Sequence, residues 1–381
     1  MDKKVAIVGI NVVQGADLGK SRERLLFDTV KGLFDEMNID RHAIDTFILA
    51  SNDFLEGRTI SNVFEDCPVG AYMKDETKVE MDGINAVLYA VLRILSGYHQ
   101  TALVIAHSLC GSQASPYLNI QYSLDPTYDR QLGLMNELSA GALQARAYMD
   151  RHGLDGGFMD EVAALDLGNA ALNDFQARRL EGVSAGQVAA SGFLYEPLRE
   201  LHCFPANDGA CAIILASEEK AAELTDKPVW IEGFGSSIDT YYIAERDLAV
   251  SPSTTQAAKQ AYAMAGVADP ASEIGVAEVS SLFANQGPML AAALGLVDEA
   301  DAARKYQGGG FGPGAALAVN PSGGPLGAHT VCATGAVRVA EAVRQLRGEA
   351  GANQVKDPRL AVAHGQDGLC CQQNTVVVLG I

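Results

Sequence analysis

The stretch Asn320-Pro321-Ser322-Gly323-Gly324-Pro325-Leu326-Gly327-Ala328-His329-Thr330-Val331-Cys332-Ala333-Thr334-Gly335-Ala336 decides how this chain is read. It follows the apolar run Ala316–Asn320, which suits a short buried strand. It leads into Thr334–Arg347, which reads as a long helix. A histidine therefore stands between a glycine pair and a helix start, in the loop that joins a strand to a helix.

Working outward, β-rich runs alternate with longer helical ones, the mark of an α/β architecture. Towards the N-terminus the reading gives strands at Val5–Ile10, Thr46–Ala50, Ala102–Ala106 and Cys211–Ala216, with helices at Arg22–Asn38 and Ile84–Ser96. The segment from about 108 to 197 reads as a long insertion with turns near Pro116 and Pro126 and helices around Met135–Tyr148 and Met159–Gln176. The second half runs from Trp230 through a helix at Thr255–Ala265, a strand at Val276–Val279 and a helix near Gly287–Leu294. It ends on strands Leu360–Ala363 and Thr375–Leu379. The order of elements recurs without a residue-level repeat, and the expected domains are 1–225 and 226–381.

The 381 residues carry a formal net charge of −19, which repels phosphate backbones and argues against nucleic-acid binding. No apolar stretch approaches the roughly 18 residues of a membrane span. The seven cysteines form no CxxC or CxxxxH pattern, so no metal is expected, and their odd number in a large chain suits a cytoplasmic setting. Gly308–Gly314 lacks the strand-before, helix-after setting of a phosphate loop, and His107 and His202 carry no ligand pattern.

The quoted stretch resembles the C-terminal signature of the thiolase superfamily, N-x-x-G-G followed by G-H-P-x-G-A-T-G, with Thr330-Val331-Cys332 standing in place of Pro-x-Gly. Glu278-Val279-Ser280-Ser281-Leu282-Phe283 resembles the family's E-x-N-E-A-F strand end. Asn207-Asp208-Gly209-Ala210-Cys211-Ala212 resembles its S-D-G-A-A-A strand entry. The nearest branch is that of the sterol-carrier, lipid-transfer thiolases. The resemblance implies two similar α/β halves in a five-layer α-β-α-β-α sandwich and a homodimer. It further implies a 3-oxo or 3-hydroxy acyl-CoA substrate, coenzyme A as cosubstrate and no bound cofactor. Members of the branch are often paired with a small zinc-ribbon/OB-fold subunit.

Thiolases place a nucleophilic cysteine in C-x-S/T-G at a helix start, where the helix N-terminus lowers the thiol pKa. Here the matching segment is Glu80-Met81-Asp82-Gly83, which has no cysteine. Aligning on Gly83 puts Glu80 at the cysteine's place. Asp82 reads as a helix cap, or with Glu80 as a base for a decarboxylation, aldol or hydrolysis reaction. The resemblance gives His329 a part in the oxyanion hole and in activating a nucleophile. It puts His364, in His364-Gly365-Gln366-Asp367-Gly368, where the family has its second cysteine, and imidazole can serve there as acid or base. Ser280 stands where the family holds an oxyanion-hole water. Four readings remain open: acyl transfer to CoA, retro-aldol cleavage without an acyl-enzyme, a non-catalytic subunit role, and a lipid-binding module without chemistry.

Overall fold

The computed structural model describes residues 4–57, 59–112, 124–132 and 136–381. The turn expected near Pro116, and Met135 at the start of an expected helix, lie outside the described residues. Helices of eight or more residues are α1 (Arg22–Met37), α2 (Asn62–Val69), α3 (Gly83–Leu95), α4 (Glu137–His152), α5 (Gly157–Ala171), α6 (Pro252–Ala265), α7 (Gln286–Ala293) and α8 (Thr334–Arg347). The strands are β1 (Val5–Gly15), β2 (Thr46–Ala50), β3 (Asp75–Val79), β4 (Thr101–Leu109), β5 (Phe193–Tyr195), β6 (Leu198–Arg199), β7 (Asp208–Ser217), β8 (Val229–Ile238), β9 (Val276–Val279), β10 (Ala318–Val319), β11 (Leu360–Asp367) and β12 (Gln373–Gly380).

Ten strands run in the order β10-β9-β11-β12-β8-β1-β7-β4-β2-β3. From β1 outward, β7 and then β4 are antiparallel neighbours, and β2 and β3 follow in parallel. From β8 outward, β12 and β11 are antiparallel and β9 and β10 parallel, so the second half repeats the first. Within the sheet the halves join through β1 and β8, paired at Ala6–Trp230 and Ile7–Val229.

Alternation along the strands produces the layers. Ala102, Val104 and Ala106 of β4 and Ala361 and Ala363 of β11 pack with α3 and α8 in one central core. The opposite faces of the first half bury against α1, and those of the second half against α4, α5, α6 and α7. This is the α-β-α-β-α thiolase fold. Helix α3 starts where the sequence places it because Asp82 caps it, accepting a hydrogen bond from Ile84 N at 2.9 Å. Strand β3 and helix α2 have no counterpart in the sequence reading. The β3 segment, Asp-Glu-Thr-Lys-Val, is a half-exposed edge strand whose charged residues hide the strand pattern.

Candidate active site

The loop between β10 and α8 is held by buried polar contacts before it reaches His329. Asn320 takes a positive φ of 47°, and its side chain accepts from Val279 N at 2.7 Å and donates to Ser281 at 3.0 Å. Ser322 donates to Glu278 Oε2 at 2.6 Å, and Arg338 Nη1 donates to the same carboxylate oxygen and to Ser322 Oγ, both at 2.7 Å. Helix α5, from the insertion, grips the other side: Asn169 donates to the Asn320 carbonyl at 3.0 Å. Asn173 and Gln176, just beyond that helix, donate to the Ser322 carbonyl at 3.0 and 2.9 Å. Gly323, at φ 99°, leaves no room for a Cβ, which would lie 2.5 Å from Ala170.

The loop delivers His329 to a cavity of about 70 Å³. Its walls come from Asn52, Met81, Asp82, Glu137, Phe204, Leu282, His329, Val331, Cys332 and the β11 end, Gln366-Asp367-Gly368. His329 Nδ1 bonds the Thr334 hydroxyl at 2.8 Å, its backbone N–H donates to Asn207 at 2.6 Å, and Phe204 packs edge-on at 4.4 Å. Burial, with the Arg338 charge adding to it, depresses the imidazole pKa to about 3, so the ring is neutral. The tautomer in which the Thr334 hydroxyl donates to Nδ1 leaves Nε2 protonated and able to donate.

Three carboxyls share the cavity. Asp82 accepts from Ile84 N and from Gly335 N, both at 2.9 Å, and so caps α3 and the first turn of α8 together. Burial pushes its pKa to about 8 against the pull of those two N–H groups. Asp367 accepts from Asp82 N at 3.2 Å and Gly368 N at 2.7 Å, and burial raises its pKa as well. Glu137 opens α4 inside the capping box made by Asn136 and Ser139. Burial, then the Asp367 charge, raises its pKa to about 8. The Cys332 thiol also lines the cavity. Burial, followed by the acids around it, lifts its pKa well above the ordinary value, so it is held as a thiol.

Of the residues singled out from sequence, the structure brings His329 and Asp82 together and leaves three elsewhere. Glu80 is half-exposed and accepts from Asp53 N and Lys78 Nζ, both at 2.7 Å, because the chain turns between it and Asp82. His364 lies fully buried on β11, its Nε2 paired with Asn374 Oδ1 at 2.9 Å, and burial lowers its pKa to about 4. The strand rises roughly 3.3 Å per residue. The cavity begins only at Gln366, so the His364 ring sits below its floor. Ser280 is buried beside it, its N–H donating to the His364 carbonyl at 3.2 Å and its carbonyl accepting from Gln366. The two imidazoles therefore do not converge. Glu137, Asp367 and Cys332 are the groups that join His329 instead. Asp367 was visible as the acid within the quoted His364–Gly368 segment. Glu137 had only a helix-start signal within the insertion.

The Thiolase C-terminal domain-like family matches residues 235–380. An acetyl-CoA acetyltransferase of Methanocaldococcus jannaschii is 30% identical over 303 residues, 76% of this chain and 74% of that protein. Sterol carrier protein 2 of Homo sapiens is 32% identical over 191 residues, 48% of this chain and 34% of that protein. Among solved structures, the Ltp2-ChsH2(DUF35) aldolase superposes with a TM-score of 0.85 at 22% identity, covering 99% of this chain and 97% of that one. The chain belongs to the thiolase superfamily, in the branch of the sterol-carrier-type thiolases. It is an enzyme of that superfamily with an acyl-CoA theme.

Proposed function

We propose that the chain cleaves or forms a carbon–carbon bond next to the thioester of a 3-hydroxy acyl-CoA by retro-aldol or aldol chemistry, with no acyl-enzyme. The observation that carries this reading is a cavity where carboxyls with raised pKa surround a neutral imidazole and the one thiol is kept protonated. Carboxyls near pKa 8 exchange protons readily at neutral pH, which suits general acid–base work. In the cleavage direction Glu137 takes the proton of the 3-hydroxyl. The C2–C3 bond breaks, C3 leaves as an aldehyde or ketone, and the electron pair passes to C2 as the thioester enolate. His329 Nε2–H donates to the enolate oxygen as its charge develops, and C2 regains a proton from Glu137.

Acyl transfer to CoA from a 3-oxo acyl-CoA is the second reading. One feature favours it: Cys332 lines the cavity three residues after His329. It requires the thiolate that burial opposes. A homodimer is supported by exposed Ile60, Val63, Tyr72 and Met73 around the edge strand β3. A second subunit, which the resemblance makes a zinc-ribbon/OB-fold protein, is supported by the Ltp2-ChsH2(DUF35) aldolase, whose name joins two proteins. The test is to incubate the protein, alone and with such a partner, with 3-hydroxy acyl-CoA, and separately with 3-oxo acyl-CoA plus free CoA. A carbonyl product from the first supports the lyase. Shortened acyl-CoA from the second alone replaces it with thiolysis. No turnover of either, alone or in complex, leaves a non-catalytic subunit.

A further inference from the structure

Behind the wall that carries Asn52, three side chains far apart in sequence converge: Glu56 from the turn after β2, Glu65 from α2 and His107 from β4. Their ligand atoms all lie within 4.8 Å of one another, with His107 Nε2 3.1 Å from Glu56 Oε1 and 3.8 Å from Glu65 Oε1. A tetrahedral ion with bonds of about 2.0–2.1 Å would set such atoms roughly 3.3 Å apart. The three side chains are 1–4% exposed. His107 Nε2 faces both carboxylates, yet no hydrogen bond of ordinary geometry closes on it.

The surroundings are those of ligands being held. Ser51 Oγ donates to Glu65 at 3.1 and 3.2 Å, fixing the carboxylate, and Ser61, which Lys78 reaches at 2.8 Å, stands 3.2 Å from Ser51. Arg22 pairs with Glu56 Oε2, leaving Oε1 turned to His107. Such outer contacts orient metal-ligating carboxylates. The charge count points the same way. The carboxylates of Glu56, Glu65, Asp53 and Glu80 face the cations Arg22 and Lys78, which leaves two negative charges when His107 is neutral. A divalent ion cancels that excess.

We infer that Glu56, Glu65 and His107 form a divalent-metal site, one nitrogen and two oxygens suited to Zn²⁺ with a fourth position open to water. One imidazole with two carboxylates is a borderline-hard set that Zn²⁺ accepts. The ion ties the 51–57 turn and α2 to β4, and so steadies the turn that bears Asn52 at the cavity.

Protein dialysed against a chelator and titrated calorimetrically with Zn²⁺ takes up one equivalent. His107→Gln and Glu65→Gln each weaken that uptake at least tenfold, as expected for loss of a ligand, while Cys67→Ser, at the exposed thiol, leaves it unchanged. Should a substitution unfold the chain, Co²⁺ added to the unaltered protein serves as a second readout. It gives visible ligand-field bands without a thiolate charge-transfer band. The site is refuted by absence of saturable one-equivalent uptake, by uptake indifferent to both substitutions, by loss of uptake in Cys67→Ser, or by a thiolate band in the Co²⁺ spectrum.

Discussion

Replacing Arg338 by methionine removes the cation from a pair in which both partners are fully buried, Arg338 and Glu278, bonded at 2.7 Å. Removing one member of such a pair strands a charge in low dielectric and costs about 3–5 kcal/mol. That is a large share of a domain's total stability of roughly 5–15 kcal/mol. The Glu278 carboxyl stands raised to about 7 by burial even with Arg338 beside it. Without the guanidinium its pKa goes higher still, and the carboxyl escapes part of the cost by taking up a proton. A raised carboxyl pKa stabilises the fold fully below its unfolded value and loses that stabilisation as pH rises through the folded value. The penalty of Arg338→Met should therefore grow with pH, by up to about 1.4 kcal/mol per unit. Glu278→Gln in the same chain removes the stranded charge and keeps hydrogen-bonding capacity for Ser322, so the double variant should recover much of the loss. The assay is urea unfolding at pH 6 and pH 8, followed by the fluorescence of the single tryptophan, Trp230. A penalty below about 1 kcal/mol, or singles that simply add, would refute the claim that this pair holds the loop leading to His329.

Other consequences follow from the cavity. Asp82 and Glu137, each raised to about 8, keep protons that the unfolded chain has released, so stability should fall as pH rises from 6.5 to 8, where His329 and His364 no longer contribute. Glu137→Gln should flatten that slope by about 1.4 kcal/mol per pH unit in melting or urea experiments; an unchanged slope removes Glu137 from the proton account. His329→Ala should lower kcat by about 10²–10³ with little change in KM, the cost of one donor to a developing oxyanion; unaltered kcat in steady-state assays would count against His329. Cys332→Ala should keep lyase turnover, and its abolition would restore covalent catalysis to consideration.

The fold was legible because its information is local and periodic. Thr46–Ala50, Val276–Val279 and Thr334–Arg347 carry their patterns within a few residues, and the glycine pair before His329 sits where a positive φ and contact with Ala170 demand it. The site was legible only where the resemblance touched it, at His329 and Asp82. Glu137 comes to the cavity on a helix of the insertion, and nothing in its neighbours announces where that helix lands. His364 misleads for a geometric reason: it shares a strand with Gln366 and Asp367, and position along that strand, which sequence does not give, decides which residue meets the cavity. Glu56, Glu65 and His107 are separated by whole elements, so no spacing rule could unite them.

The absence of a cysteine at the head of α3 acquires a physical sense from the pairing of the repeated halves. Helices α3 and α8 occupy the same place in the two halves, and their first turns meet at Asp82. Each helix of this length presents about half a positive charge at its N-terminus, and two together would favour a thiolate placed between them. Here the Asp82 carboxyl takes one N–H from each helix start, Ile84 N and Gly335 N. What remains inside is low dielectric with two further carboxyls, an environment that raises every acid and suppresses every thiolate, Cys332 included. Glu80, at the cysteine's place, turns away to Asp53 and Lys78, and Asp82 alone of that segment's acids faces the cavity. Storing protons in this way is what the proposed aldol chemistry draws on.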